Sequence, residues 1–138
     1  MGTAESIVVG TDGSETAEQA VDRAGVLARA FGATVHVVSA HRGEDVPLVQ
    51  AGRQGERTQA QQNVDRAQQR LAKVDVATEG HLSTREPGRA LVDIADEQGA
   101  QMIVVGNRGM TGGKRVLGSV PNHVSHHAHC DVVIVHTT

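Results

Sequence analysis

Aromatic side chains are almost absent from this 138-residue chain: Phe31 is the single one, with no Trp and no Tyr. That absence counts against functions built on stacking, such as single-strand nucleic-acid platforms and methyl-ammonium cages. A planar ligand would have to be gripped by backbone and aliphatic groups. The lone Cys130 cannot form an intramolecular bridge, so nothing points to a disulfide-framed secreted domain. No apolar run approaches the ~20 residues needed to span a bilayer. The first residues show neither the basic region nor the hydrophobic run of a signal peptide. The expectation is therefore a soluble cytoplasmic protein with no membrane partner. Charge is also modest, 13 basic against 16 acidic side chains for a net of −3, which gives no support for nucleic-acid binding.

What charge there is lies unevenly. Residues 106–138 carry Arg108, Lys114 and Arg115 against Asp131 alone, whereas the preceding stretch is net acidic. An anionic ligand would favour the C-terminal end. At this length one domain spanning 1–138 is expected, folding with roughly two-thirds of its unfolded surface buried.

Strands and helices alternate along the chain. Ser6 to Gly10, Thr34 to Ala40, the weaker Asp75 to Gly80, Gln101 to Gly106 and Asp131 to His136 read as strands, most of them nearly continuous in Val and Ile. The first helix follows Ser14 as its N-cap. Ala17, Ala20, Val21, Ala24, Leu27, Ala28 and Phe31 form its inner stripe, and Gly32 its C-terminal cap. A second helix runs from about Glu56 to Lys73 on the seam Ala60, Val64, Ala67 and Leu71. A third starts at Pro87 and ends at Gly99, and a fourth runs from Ser119, a good N-cap, to about Ala128. His41 to Gly55 has no periodicity and reads as a long loop. Continuous apolar strands separated by helices require a parallel sheet covered on both faces, hence a doubly wound five-stranded α/β sandwich. Ligands in such sheets bind at the carboxyl ends of the strands where the strand order reverses.

The richest segment for such a site is Gly106 to Ser119, in which glycine recurs after a buried strand and again before a helix. Glycines let a ligand approach the backbone, and the free N–H groups and dipole of the following helix favour phosphate. Two common phosphate motifs are excluded. Gly109 to Arg115 is one residue short of a P-loop and puts Arg115 where that motif places its magnesium-binding hydroxyl. Gly10-Thr11-Asp12-Gly13 lacks the third glycine of a dinucleotide fingerprint.

From end to end the chain resembles the universal stress protein family. The resemblance rests on Thr11-Asp12-Gly13-Ser14-Glu15, Val104-Val105-Gly106-Asn107-Arg108-Gly109, Leu117-Gly118-Ser119-Val120 and Cys130-Asp131-Val132-Val133-Ile134-Val135. The ATP-binding branch carries Gly, two residues, Gly, nine residues, then Gly followed by Ser or Thr; here Gly106, Gly109, Gly118 and Ser119 fit, with eight residues in place of nine. The resemblance, actinobacterial in character, implies a Rossmann-like fold of the adenine nucleotide alpha hydrolase type, a stress-response regulatory role and ATP as ligand, with or without Mg²⁺. It implies cAMP as the alternative ligand, since a single phosphate tolerates the shortened loop, and a nucleotide-independent interaction module as a further alternative. It places Thr11 and Asp12 near the adenosine and Ala40 at the adenine edge. Val105, Gly106, Arg108 and Gly109 would line the ribose and phosphates, and Gly118, Ser119 and Val120 would receive the phosphates. The family also pairs its last strand across a two-fold axis, so a homodimer through residues 131–136 is expected.

Catalytic signals are weak. No nucleophile elbow, base or magnesium ligand is visible, so no catalytic residue is assigned and ATP hydrolysis is expected to be slow at most. His123, His126, His127, His129 and Cys130 invite a metal reading, but no zinc-like spacing accompanies them and they are read as ordinary helix-surface residues, with no metal assigned.

Overall fold

β-branched runs that cannot be solvated on either face assemble into a sheet between two helical layers. The computed structural model describes residues 5–43, 55–107 and 117–137. Its elements are β1 (Glu5–Gly10), α1 (Glu15–Phe31), β2 (Ala33–Ala40), α2 (Glu56–Ala72), β3 (Thr78–Ser83), α3 (Pro87–Gln98), β4 (Met102–Gly106), α4 (Ser119–His127) and β5 (Asp131–Val135). The strands form one sheet in the order β3-β2-β1-β4-β5, every neighbouring pair parallel.

Side-chain alternation divides the core in two. Ile7, Val9, Val35, Val37 and Val104 pack beneath α1 and α2 against Ala20, Ala24, Val64 and Leu71. Val8, Val38, Ile103 and Val105 face the other way, against Leu91, Ala95 and Val124 of α3 and α4. Because both faces are covered, the strands read as unbroken apolar runs rather than alternating ones. The helix ends follow their expected signals. The Ser14 hydroxyl accepts from the Ala17 N–H, and Gly32 and Gly99 close α1 and α3 at φ of 68° and 61°.

Three expectations are corrected. β3 begins at Thr78 rather than Asp75, because α2 ends in a turn in which Asp75 takes φ 61° and the Val76 N–H bonds back to the Leu71 carbonyl. Phe31 is 52% exposed rather than core-facing. It is the last residue of α1, and β2 starts only two residues on, so the stripe has run past the sheet's amino edge. Ser119 is the first residue of α4 rather than its cap; Gly118 is extended (φ −64°, ψ 168°) and its carbonyl takes the first helical bond, from the Asn122 N–H. The expected loop 41–55 falls mostly outside the described residues.

Candidate functional site

The strand order reverses between β1 and β4, whose chains leave the sheet toward opposite layers. A gap must therefore open above their carboxyl ends. An open-mouthed cleft occupies that position, floored by Gly10, Thr11, Val105 and Gly106 and walled by residues of α1, α3 and α4. Of the residues assigned from sequence, Thr11, Asp12, Ala40, Val105, Gly106 and Val120 all line it. Gly118 and Ser119 stand at the amino end of α4, directly before Val120 and Pro121 of the cleft wall. Arg108 and Gly109 lie outside the described residues, as do Lys114 and Arg115.

The β1 loop is held by its own side chains. Thr11 Oγ1 accepts from the Gly13 N–H at 3.1 Å, and Gly13 turns with φ 83°. Asp12 Oδ1 accepts from both the Ser14 N–H (3.0 Å) and the Ser14 hydroxyl (2.6 Å), so Asp12 organises the entry to α1.

Ala40 offers its backbone for a topological reason. Val35 and His41 donate their N–H groups to β3, at the Ala77 and Ser83 carbonyls. Alternation then directs the N–H and C=O of Ala40 to the β1 side. β1 has already departed there, its ladder with β2 ending at Gly10 opposite Val38. The Ala40 peptide edge therefore faces the cleft.

Asn107 closes the base of the glycine loop. Its N–H donates to the Val135 carbonyl (2.8 Å), and its Oδ1 accepts from the N–H and hydroxyl of Thr137 (2.9 and 2.8 Å). The Gly118 N–H donates to the Asn107 carbonyl at 3.1 Å. The two ends of the shortened loop are thus tied together beside β5. Unlike α1, α4 starts without a side-chain cap.

Sequence reasoning missed Asn107 as the tie, and it missed the apolar wall of Ala17, Pro87, Leu91 and Pro121. Each sits in the first turns of a helix, where an apolar residue carries the same signal whether it packs or faces a ligand.

The C-terminal histidines do not converge. The rings of His123 and His127 stack at 4.2 Å, but His127 Nδ1 meets the His123 carbonyl, His126 Nδ1 meets the Asn122 carbonyl, and His129 pairs with Asp96 at 3.1 Å. Burial, with Asp131 and Asp96 nearby, pushes the Cys130 thiol up, which disfavours the thiolate. Among the described residues no helix is long and apolar enough to cross a membrane.

Comparison with known proteins gives a consistent picture. The sequence pattern of the universal stress protein family matches residues 3–136. A universal stress protein of Mycobacterium tuberculosis (strain H37Rv) is 36% identical over 147 residues, covering 100% of both chains. Among solved structures, a universal stress protein in complex with cAMP superposes with a TM-score of 0.80 at 33% identity, covering 99% of this chain and 100% of that one. The universal stress protein from Archaeoglobus fulgidus in complex with dAMP gives 0.75 at 27% identity, covering 97% and 98%.

Proposed function

This chain belongs to the universal stress protein family, and from that premise we propose that it binds an adenine nucleotide in the switch-point cleft and acts as a cytoplasmic regulatory protein. The observation that carries this reading is the placement of an inward-facing Ala40 peptide edge across the cleft from the α4 amino end. An adenine would lie between aliphatic walls with its edge on Ala40. Its ribose would meet the second carboxylate oxygen of Asp12, the first being engaged by Ser14. Phosphates would meet the glycine loop, including Arg108 and Gly109, and the N–H groups of Ser119 and Val120.

ATP, with or without Mg²⁺, is the ligand of the first reading. cAMP is the second, favoured by the shortened loop and by the likeness to a relative solved with that nucleotide. ATP hydrolysis would be slow at most, and the output would be a change of assembly or partner. A homodimer would form through β5, an edge strand on which Ile134 is 40% exposed.

Isothermal titration with ATP and with cAMP, each with and without Mg²⁺, tests the reading. Saturable binding of either nucleotide, weakened in Gly118→Ala, is expected; no heat with both would overturn it. Tighter binding of cAMP than of ATP would reverse the order of the two ligands. Light scattering at micromolar concentration should give twice the chain mass, and a monomer would remove the dimer.

A further inference from the structure

The opposite edge of the sheet carries a side-chain cluster that the nucleotide reading leaves unused. His36 on β2 and Glu79 and His81 on β3 offer one ligand atom each, all within 4.8 Å of one another. The register places His36 opposite Glu79 and Val38 opposite His81. Gly80, between the two β3 residues, faces α2, since a Cβ there would meet Val64 at 2.6 Å. Glu79 and His81 therefore face the other side, toward the α3 layer. In that layer α3 rests on β1, β2 and β4 and α4 on β4 and β5, and β3 is the outermost strand, so the cluster sits where the helical cover runs out.

The cluster is graded in burial. His36 is 2% exposed, His81 is half-buried and Glu79 reaches solvent. His36 Nδ1 and His81 Nε2 approach to 2.9 Å with the rings tilted at 37°. A buried imidazole has few rotamers available, so its nitrogen is fixed toward the other two donors. Two imidazole nitrogens on one tetrahedral zinc, each at about 2.05 Å, stand about 3.3 Å apart. The rings need to separate by only about 0.4 Å to admit an ion.

We propose that His36, Glu79 and His81 form a binding site for a divalent late-transition-metal ion of the zinc class, with solvent completing its coordination. Two imidazoles and one carboxylate suit such an ion, whereas hard ions such as Mg²⁺ and Ca²⁺ prefer all-oxygen shells. The open fourth position and the solvent-facing Glu79 give the ion a path in without disturbing the core.

The test is titration of the purified full-length protein, stripped with chelator, with Zn²⁺ by calorimetry and with Co²⁺ by visible absorption. His81→Gln should weaken binding at least tenfold and Glu79→Gln about three- to tenfold, with loss of the Co²⁺ absorption bands in His81→Gln. His36 is left intact because its burial makes any substitution a folding risk. His127→Gln serves as the control for the C-terminal histidines and should leave the affinity unchanged. Equal affinity in wild type and His81→Gln, loss of binding in His127→Gln, or no binding by the wild type would each overturn the proposal.

Discussion

The cleft above β1 and β4 and the edge at β3 are built from opposite materials. In the cleft, the polar groups are peptide groups, the Asp12 carboxylate and the hydroxyls of Thr11, Ser14 and Thr16, while other side chains supply aliphatic walls. At the β3 edge the side chains themselves are the chemistry, two imidazoles and a carboxylate projecting from the ladder that β3 forms with β2. The difference follows from position. A switch point frees backbone groups because a strand departs, whereas an edge beyond the helical cover frees side chains because no layer lies over them. Ligand specificity in the first region would be set by topology and in the second by residue identity, so the two should respond to different mutations.

The largest expected effect lies on the scaffold that separates the faces of β3. Gly80→Val would drive a branched side chain into Val64, a stiff and fully buried neighbour, and should destabilise the protein by about 1–3 kcal/mol in denaturant unfolding. An unchanged midpoint would mean that α2 does not hold that face and that the orientation assigned to Glu79 and His81 is wrong.

Asn107→Ala comes next. It leaves the buried Thr137 N–H and hydroxyl without their shared acceptor, at a cost of about 1–3 kcal/mol. It should also weaken nucleotide binding while leaving metal affinity at the β3 edge unchanged. Equal losses at both places would collapse the distinction between them.

A pH titration separates the regions by a third route. Burial holds the His36 imidazole below its ordinary range, a shift opposed by Glu79 and reinforced by His81. The unfolded chain therefore takes up the proton first. The stability from a neutral His36 is complete above about pH 6.5 and is lost as pH falls from there through the lowered folded value. Chelator-treated protein should show this loss in thermal unfolding, and Glu79→Gln, which removes the charge opposing the shift, should deepen it. An unchanged profile in the variant would assign the effect elsewhere.

The smallest effect belongs to neither region. Arg70 pairs with Asp22 on the exposed α1–α2 seam at 2.5 and 2.8 Å, and Arg70→Ala should cost under about 1 kcal/mol without touching either ligand.

The two regions also differed in how plainly the sequence announced them. Val-rich strands and the Ala60, Val64, Ala67 and Leu71 stripe state their burial directly, and the sheet places them as expected. The cleft could be located from strand ends and glycines, but the role of Ala40 depends on which way a peptide group points, which becomes readable only once β1 is seen to leave. β3 was misplaced because an edge strand covered on one face carries Thr78, Glu79, His81 and Ser83 where an apolar pattern would otherwise mark it. The histidine–glutamate cluster was invisible for the same reason, and because strand pairing alone brings His36 beside residues more than forty positions away.

Reception of nucleotide at the switch point is tested most directly by amide NMR spectra recorded during titration with ATP, and separately with cAMP. Shifts are expected at Gly10, Thr11, Asp12, Ala40, Gly106, Ser119 and Val120, with His36, Glu79 and His81 unmoved. Shifts confined to the β3 edge or to the α1–α2 seam, with the strand-end residues silent, would contradict it.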